Sequence, residues 1–288
     1  MSDAGVIHDI GYQRYEGPRL GRAAVFGALY QHGLRASFGL GRSIKAKIFP
    51  WLVVGIVLLV AVINAAARAQ FDVILFDYFE FDSTISWLII FFVAIVAPEL
   101  MSRDMRAGVL PLYFSRPLRA ADYVGAKVAS LVTAVFLLLG VPQLIMFLTA
   151  AFTLDGGIGK VWEEFYGALL PGWAYSLLWA VLFASISLLI ASLTGKRAFA
   201  AGGIVAFFLM TTPVVGVLSI LPSETAQDLA GLVSPMSLIN GVYIWLADGV
   251  DLGLDVGRFG PIYGIEAFCL VAVALLLLLA RYRKVASL

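Results

Sequence analysis

Residues 124–152 read VGAKVASLVTAVFLLLGVPQLIMFLTAAF, and this run decides the fold class. No charged residue follows Lys127 before Asp155. A bilayer's hydrocarbon core is about 30 Å thick, and a helix crosses it with roughly 20 apolar residues. The run is longer than that and predicts a membrane-spanning helix. Gly140 and Pro142 predict a kink, because proline removes a backbone donor and crowds the preceding turn.

Five more runs have a comparable character: 49–67, 85–101, 173–193, 199–221 and 262–280. The second is short and is bounded by Pro98 and Glu99. The fifth in chain order, 199–221, contains Pro213. The expectation is an all-α polytopic membrane protein with six transmembrane helices. Its N-terminal segment would be 1–47 and its transmembrane domain 48–288. Composition agrees, since 61% of the 288 residues are hydrophobic and 14% charged. Soluble domains usually have about 45–50% apolar and about 25% charged residues. Ordinary soluble enzymes, disordered chains and fibrous repeats are thereby excluded. The first 47 residues are polar and contain Gly and Arg, which is not the pattern of a signal peptide.

The cations predict the orientation. Loops rich in Lys and Arg stay in the cytoplasm. Seven precede the first run: Arg14, Arg19, Arg22, Arg35, Arg42, Lys45 and Lys47. Five lie between the second and third runs: Arg103, Arg106, Arg116, Arg119 and Lys127. Lys196 and Arg197 separate the fourth and fifth, and Arg281, Arg283 and Lys284 follow the sixth. With both termini in the cytoplasm, 17 of the 20 cations are inside. Asp72, Asp77, Glu80 and Asp82 crowd the first outer loop. The segment 229–246, LAGLVSPMSLINGVYIWL, is nearly long enough to cross but is broken by Pro235 and Asn240-Gly241. As a seventh span it would put the C-terminal cations outside, so an outer re-entrant helical hairpin fits the charge bias better.

Before the first run, Phe26, Leu29, Tyr30, Leu34 and Phe38 recur with helical spacing, and His32, Arg35 and Arg42 fall on the other side. This predicts an amphipathic helix with a basic face, lying on the cytoplasmic membrane surface or packed on a partner.

The chemistry is sparse. Cys269 is the single cysteine, and His8 and His32 are the only histidines, so there is no Cys/His metal-ligand set. Gly195-Lys196 and Gly159-Lys160 lack the upstream glycine and the following Ser/Thr of a phosphate-binding loop. Hydrolase, metalloprotease and kinase signatures are absent. Arg68, Glu99, Lys127 and Glu266 sit at or near span ends, leaving neutral Asn64, Gln143, Thr211 and Thr212 within the spans. Ser185 and Ser187 have no base or metal beside them and read as packing residues. A chain with no energy source of its own is driven by a partner, or else is passive or structural.

The stretch 98–127 joins the second and third runs. It reads as a short charged helix stopped by Gly108, an amphipathic Leu/Tyr/Phe segment, and an Arg116-Pro117 turn into the next helix. Glu99 and Arg103 are four apart, in the favourable acid-then-base order. An ordinary solvated helical hairpin would also satisfy this pattern.

The loop resembles that of ATP-binding-cassette (ABC) transporter permeases of the type-2 export class, as found in actinobacteria. The resembling positions are Glu99, Gly108, Ser115-Arg116-Pro117, Tyr123 and Lys127. The interfacial connecting helix, six spans and outer re-entrant segment fit the same family, and residues 9–22, DIGYQRYEGPRLGR, resemble its N-terminal segment. The resemblance implies a multi-pass permease subunit of the bacterial cell membrane, itself not an enzyme. ATP and Mg would be bound by a separate cytoplasmic ABC ATPase subunit. The working unit would contain a second permease copy or paralogue, and no nucleic acid. The loop 99–127 would supply the coupling helix, with Glu99, Arg103, Asp104, Arg106, Gly108, Arg116 and Pro117 meeting the ATPase. Phe91, Phe92, Met210, Thr211 and Thr212 would line the substrate path. The other function classes are a non-transporting structural or assembly protein and an intramembrane enzyme of lipid metabolism. The missing catalytic groups speak against the last.

Overall fold

The computed structural model describes residues 17, 21–108, 110, 113, 118–153, 157–246, 254 and 256–286. Helix is the only regular structure among them. Helix α1 is Arg22–Ser37 and α2 is Ile44–Phe71. Next come α3, Tyr78–Thr84, α4, Ser86–Leu100, and the five-residue α5, Ser102–Arg106. Helix α6 is Ala120–Thr153, and α7 is Gly157–Glu164. A π-helical turn, Phe165–Leu169, leads into α8, Leu170–Ser192. Then follow α9, Arg197–Ser219, α10, Glu224–Leu229, and α11, Pro235–Leu246. The last is α12, Gly260–Ala286.

Five segments are individually long and apolar enough to cross a bilayer: α2, α6, α7 through α8, α9, and the segment ending in α12. Two bent pairs could raise the number to seven. Helices α3 and α4–α5 meet at 56°, and α10 with its following turn meets α11 at 119°. The short run expected at 85–101 corresponds to α4, which is long enough to count as a candidate crossing only together with α3 and α5. The segment expected to fold back is part of the second bent pair, whose 119° bend suits either a broken span or a re-entrant loop.

The long apolar run expected at 124–152 is one continuous 34-residue helix that passes through Pro142. At about 1.5 Å per residue α6 is roughly 50 Å long and exceeds the hydrocarbon core. It forms the spine, packing against α1, α2, α8 and α12. Helix α4 packs between α8 and α9, so the centre of the bundle is built by α4, α6 and α8. Trp179, Phe183, Phe92, Ile89 and Leu139 fill it. By contrast, only 11% of the apolar window of α9 is buried within the chain.

Helix α1 does not simply lie on a surface. It docks along the start of α6: Leu29 is buried, and Phe26, Tyr30 and Leu34 pack on the core. Gly33 sits against Ser130, so close that a Cβ there would lie 2.3 Å from the Ser130 hydroxyl. The Ser130 hydroxyl donates to the Tyr30 carbonyl at 2.9 Å, and Tyr30 pairs with Thr133 at 3.1 Å. Arg22 grips Asp122 with two bonds of 2.6 Å. Gly39 and Gly41 take positive φ values of 66° and 76°, reversing the chain into α2. Of the expected polar face, His32 and Arg35 are exposed, but Arg42 turns inward.

Asp82 also departs from expectation. It is not a loop carboxylate; it lies on the inner face of α3 and is fully buried. Tyr78, Phe81, Asp82 and Ile85 recur with helical spacing and turn inward together.

Candidate functional site

Glu99 lies in the last turn of α4, where Pro98 has already interrupted the helical hydrogen-bond ladder. Its side chain is 12% exposed. Three arginines converge on it from three segments. Arg42 comes from the turn between α1 and α2, Arg197 from the first residue of α9, and Arg103 from α5. Arg42 and Arg197 make the close ion pairs, whereas Arg103 stands 3.9 Å away. The expected Glu99–Arg103 pair is thus the weakest of the three. Met101, with φ −114° and ψ −57°, breaks the helix between them and spoils the ideal i,i+4 alignment. One carboxylate facing three guanidiniums leaves the cluster cationic.

Helix α5 carries the remaining charges. Gly108, with φ +63°, ends it as expected, since glycine enters the left-handed region without a Cβ penalty. Asp104 turns inward to Lys127 of α6 at 2.7 Å and accepts from the Tyr123 hydroxyl at 2.8 Å. Lys127 is 2% exposed, so this pair is shielded from bulk water and little screened. Tyr123 packs its ring on Tyr282 of α12, 5.1 Å between centroids, and the Tyr282 hydroxyl reaches the Met101 sulfur at 3.3 Å. Ser102 donates to the Ala191 carbonyl at the end of α8, 2.7 Å away. Arg106 is exposed and makes no ion pair among the described residues, although its field acts on Arg197. Helix α5 is therefore tied directly to α4, α6 and α8, and Met101 just before it reaches Tyr282 of α12, with Arg103 and Arg106 left on its open side.

His32, on the exposed side of α1, feels the same charges. Partial burial first, and then the Lys127 cation, lower its imidazole below the ordinary range. Asp104 opposes this, while Arg103 and Arg35 add to it.

The structure gathers Glu99, Arg103 and Asp104 at one end of the bundle, with Gly108 closing α5. Arg116 and Pro117, with Ser115 and most of the 9–22 segment, lie outside the described residues. Arg42, Arg197 and Asp122 are members that sequence spacing did not reveal. Arg42 is 57 positions before Glu99 and Arg197 98 after it, too far apart for any local pattern to pair them.

The five residues expected along a substrate path do not share one surface. Phe91 is 41% exposed and Met210 73% exposed, on α4 and α9, which pack side by side. Thr211 and Thr212 are half-buried and bond back to carbonyls one turn earlier; Thr211 also reaches Ser234 at 3.3 Å. Phe92 faces inward, fully buried, with its ring 6.0 Å from Phe38. Ser185 back-bonds to the Val181 carbonyl at 2.7 Å, as a packing residue does.

No protein-family model matches the chain, and comparison with curated proteins finds no match.

Proposed function

We propose that the chain is the membrane-spanning permease subunit of an ABC transporter of the type-2 export class. In this reading it has six spans, with the α3–α4 pair crossing once and the α10–α11 pair folding back on the outer face. Both termini are cytoplasmic, in a bacterial cell membrane. A separate cytoplasmic ATPase binds ATP and Mg, and a second permease copy or paralogue completes the pathway along the sparsely buried faces of α4 and α9, where Phe91 and Met210 are exposed.

The observation that carries this reading is the Glu99 cluster together with α5. A short helix transmits a push into a membrane bundle only if it is held by several helices at once. The Glu99 carboxylate links the entry to α2, the end of α4 and the start of α9, and Asp104 links α5 to α6. The exposed Arg103 and Arg106 offer a basic edge to a partner with acidic residues. Pushing on α5 would then move α4 and α9 together. The cation distribution of the sequence supports a cytoplasmic place for this edge.

The test is transport per ATP hydrolysed by the complex assembled with its ATPase in vesicles. Glu99→Ala and Arg106→Glu are expected to insert at normal levels yet lower transport per ATP about tenfold or more. Wild-type coupling in both variants would refute the assignment. Labelling a cysteine placed at Asp251, in a background lacking the exposed Cys269, checks the topology: reaction in intact cells supports the outer hairpin, and reaction only after permeabilisation makes 229–246 a seventh crossing.

A further inference from the structure

At the end of the bundle opposite Glu99, α3, the π-helical turn and α8, and α11 leave a cavity of about 420 Å³ between them. Small-ligand sites typically enclose roughly 300–1,000 Å³. Three of its wall residues are aromatic and touch one another. Phe79 stacks on Tyr243 with centroids 3.9 Å apart, and Tyr175 stands 5.5 Å from Phe79 and 5.1 Å from Tyr243. Tyr175 is held from behind by its bond to Asn240, 2.7 Å, which fixes α8 against α11. Most of the remaining wall is aliphatic, including Val242 and Leu178.

Two features make this more than a packing defect. The first is Gly167. It lies in the π-helical turn, lines the cavity, and a Cβ there would meet nothing within 4 Å. π-helical turns recur at functional sites; here the turn carries an open gap where any other residue would put a side chain. The second is charge. Asp77 and Glu80 form the first turn of α3 and hold each other in a capping box. They are the charged groups whose fields reach Tyr243. Neither has a cationic partner among the described residues.

We infer that this cavity binds a lipophilic organic cation, its apolar body against Phe79, Tyr175 and Tyr243 and its positive charge toward Asp77 and Glu80. An aromatic face attracts a cation through its quadrupole, and most strongly where water is excluded. Asp77 and Glu80 do not line the cavity, but they flank its wall residue Phe79 in the first turn of α3 and add a preference of sign that an acyl chain or a neutral sterol would not use. Leu246, at the end of α11, is a wall residue that is 69% exposed, so the cavity opens to the surface there. An amphipathic cation already partitioned into the membrane surface would meet the opening there. The inference does not rest on the permease reading, because binding requires neither an ATPase nor turnover.

The test uses the full chain in phosphatidylcholine nanodiscs and two isosteric probes, tetraphenylphosphonium and tetraphenylborate. Saturable binding of the cation above that of protein-free nanodiscs is expected, with none for the anion. Ala174→Phe fills the cavity from an exposed wall position and should weaken binding at least about tenfold, on the order of 1.4 kcal/mol. Gly167→Leu does the same from the other wall and stands in if Ala174→Phe does not fold. The double variant Asp77→Asn, Glu80→Gln keeps the cap, because asparagine caps as well as aspartate. It should weaken the cation roughly fivefold and narrow the discrimination against the anion, the aromatic faces keeping the remainder. Equal binding of both probes, or cation binding that a folded cavity-filled variant leaves unchanged, would overturn the site. Binding with failed transport would leave this inference standing and the permease reading fallen; the reverse outcome would do the opposite.

Discussion

The two ends of the bundle each bury a carboxylate, and they solve the problem differently. Glu99 is met by three guanidiniums. Asp82 makes no ion pair among the described residues and is met by neutral donors: Ser176 at 2.5 Å and Gln143 at 2.9 Å. Gln143, itself fully buried, also donates to the Tyr78 carbonyl and lies 3.0 Å from Ser176. Charge pairing in a low-dielectric site is strong but leaves the partners exposed to any change of charge. A hydrogen-bonded node ties α3, α6 and α8 together with less dependence on charge. The Glu99 end is therefore the more sensitive to charge and salt, and the Asp82 end the less.

The same chemical change at the two acids sharpens this contrast. Glu99→Gln should cost about 2–3 kcal/mol, below the cost of a fully buried pair because Arg103 and Arg197 are partly exposed. High salt should narrow its difference from wild type, since the surplus arginine charges become screened. Thermal unfolding in detergent at low and high salt measures both. An unchanged melting temperature would mean the arginines do not depend on the carboxylate.

Next in size is Gly33→Ala. Its Cβ would collide with Ser130, at 2.3 Å from Oγ and 2.8 Å from Cβ, and overpacking of this kind costs about 1–2 kcal/mol. Only α1 should loosen, so trypsin should cut at Arg35 faster while the spans remain protected. Cleavage at the wild-type rate would show that α1 docking does not need this contact.

Asp82→Asn should cost about 1–2 kcal/mol, less than Glu99→Gln, because the amide keeps one acceptor for Ser176 but turns a donor toward the Gln143 N–H. A loss as large as that of Glu99→Gln would break the comparison and make Asp82 a working charge. Gln143→Leu should cost more than Asp82→Asn, because it leaves the Tyr78 carbonyl and Asp82 without the donor they share.

The smallest effect concerns pH. The folded state holds the His32 imidazole lower than the unfolded chain does, so the unfolded chain binds the extra proton first as pH falls. Stability at the Glu99 end should therefore decline as pH drops through the ordinary histidine range, about 6.5. His32→Gln should flatten that part of the melting-temperature profile. A slope that survives the substitution would assign it to another group.

Much of the architecture was legible locally. The long apolar runs, the amphipathic spacing of Phe26, Leu29, Tyr30 and Leu34, and the stop at Gly108 each follow from a few adjacent residues. Asp82 was legible too, through the Tyr78–Phe81–Asp82–Ile85 period, but the acidic company of Asp77 and Glu80 made it look like part of a loop. Phe92 was not, since in an apolar helix such as α4 hydrophobicity alone does not say which side faces inward.

What the sequence determined by itself is the class of molecule and the placing of its long apolar helices, while their ends run beyond the apolar runs, as at Ile44–Phe71 and Gly260–Ala286. A helix's hydrogen bonds are local, and a bilayer selects for apolar length without regard to neighbours. Only the tertiary structure decided which arginines answer Glu99, that Asp104 pairs with Lys127, that Asp82 is buried, and that α3, α8 and α11 leave a cavity between them. Those contacts join residues far apart in the chain. They depend on which helix faces which, and that is set by the packing of the whole bundle around α6.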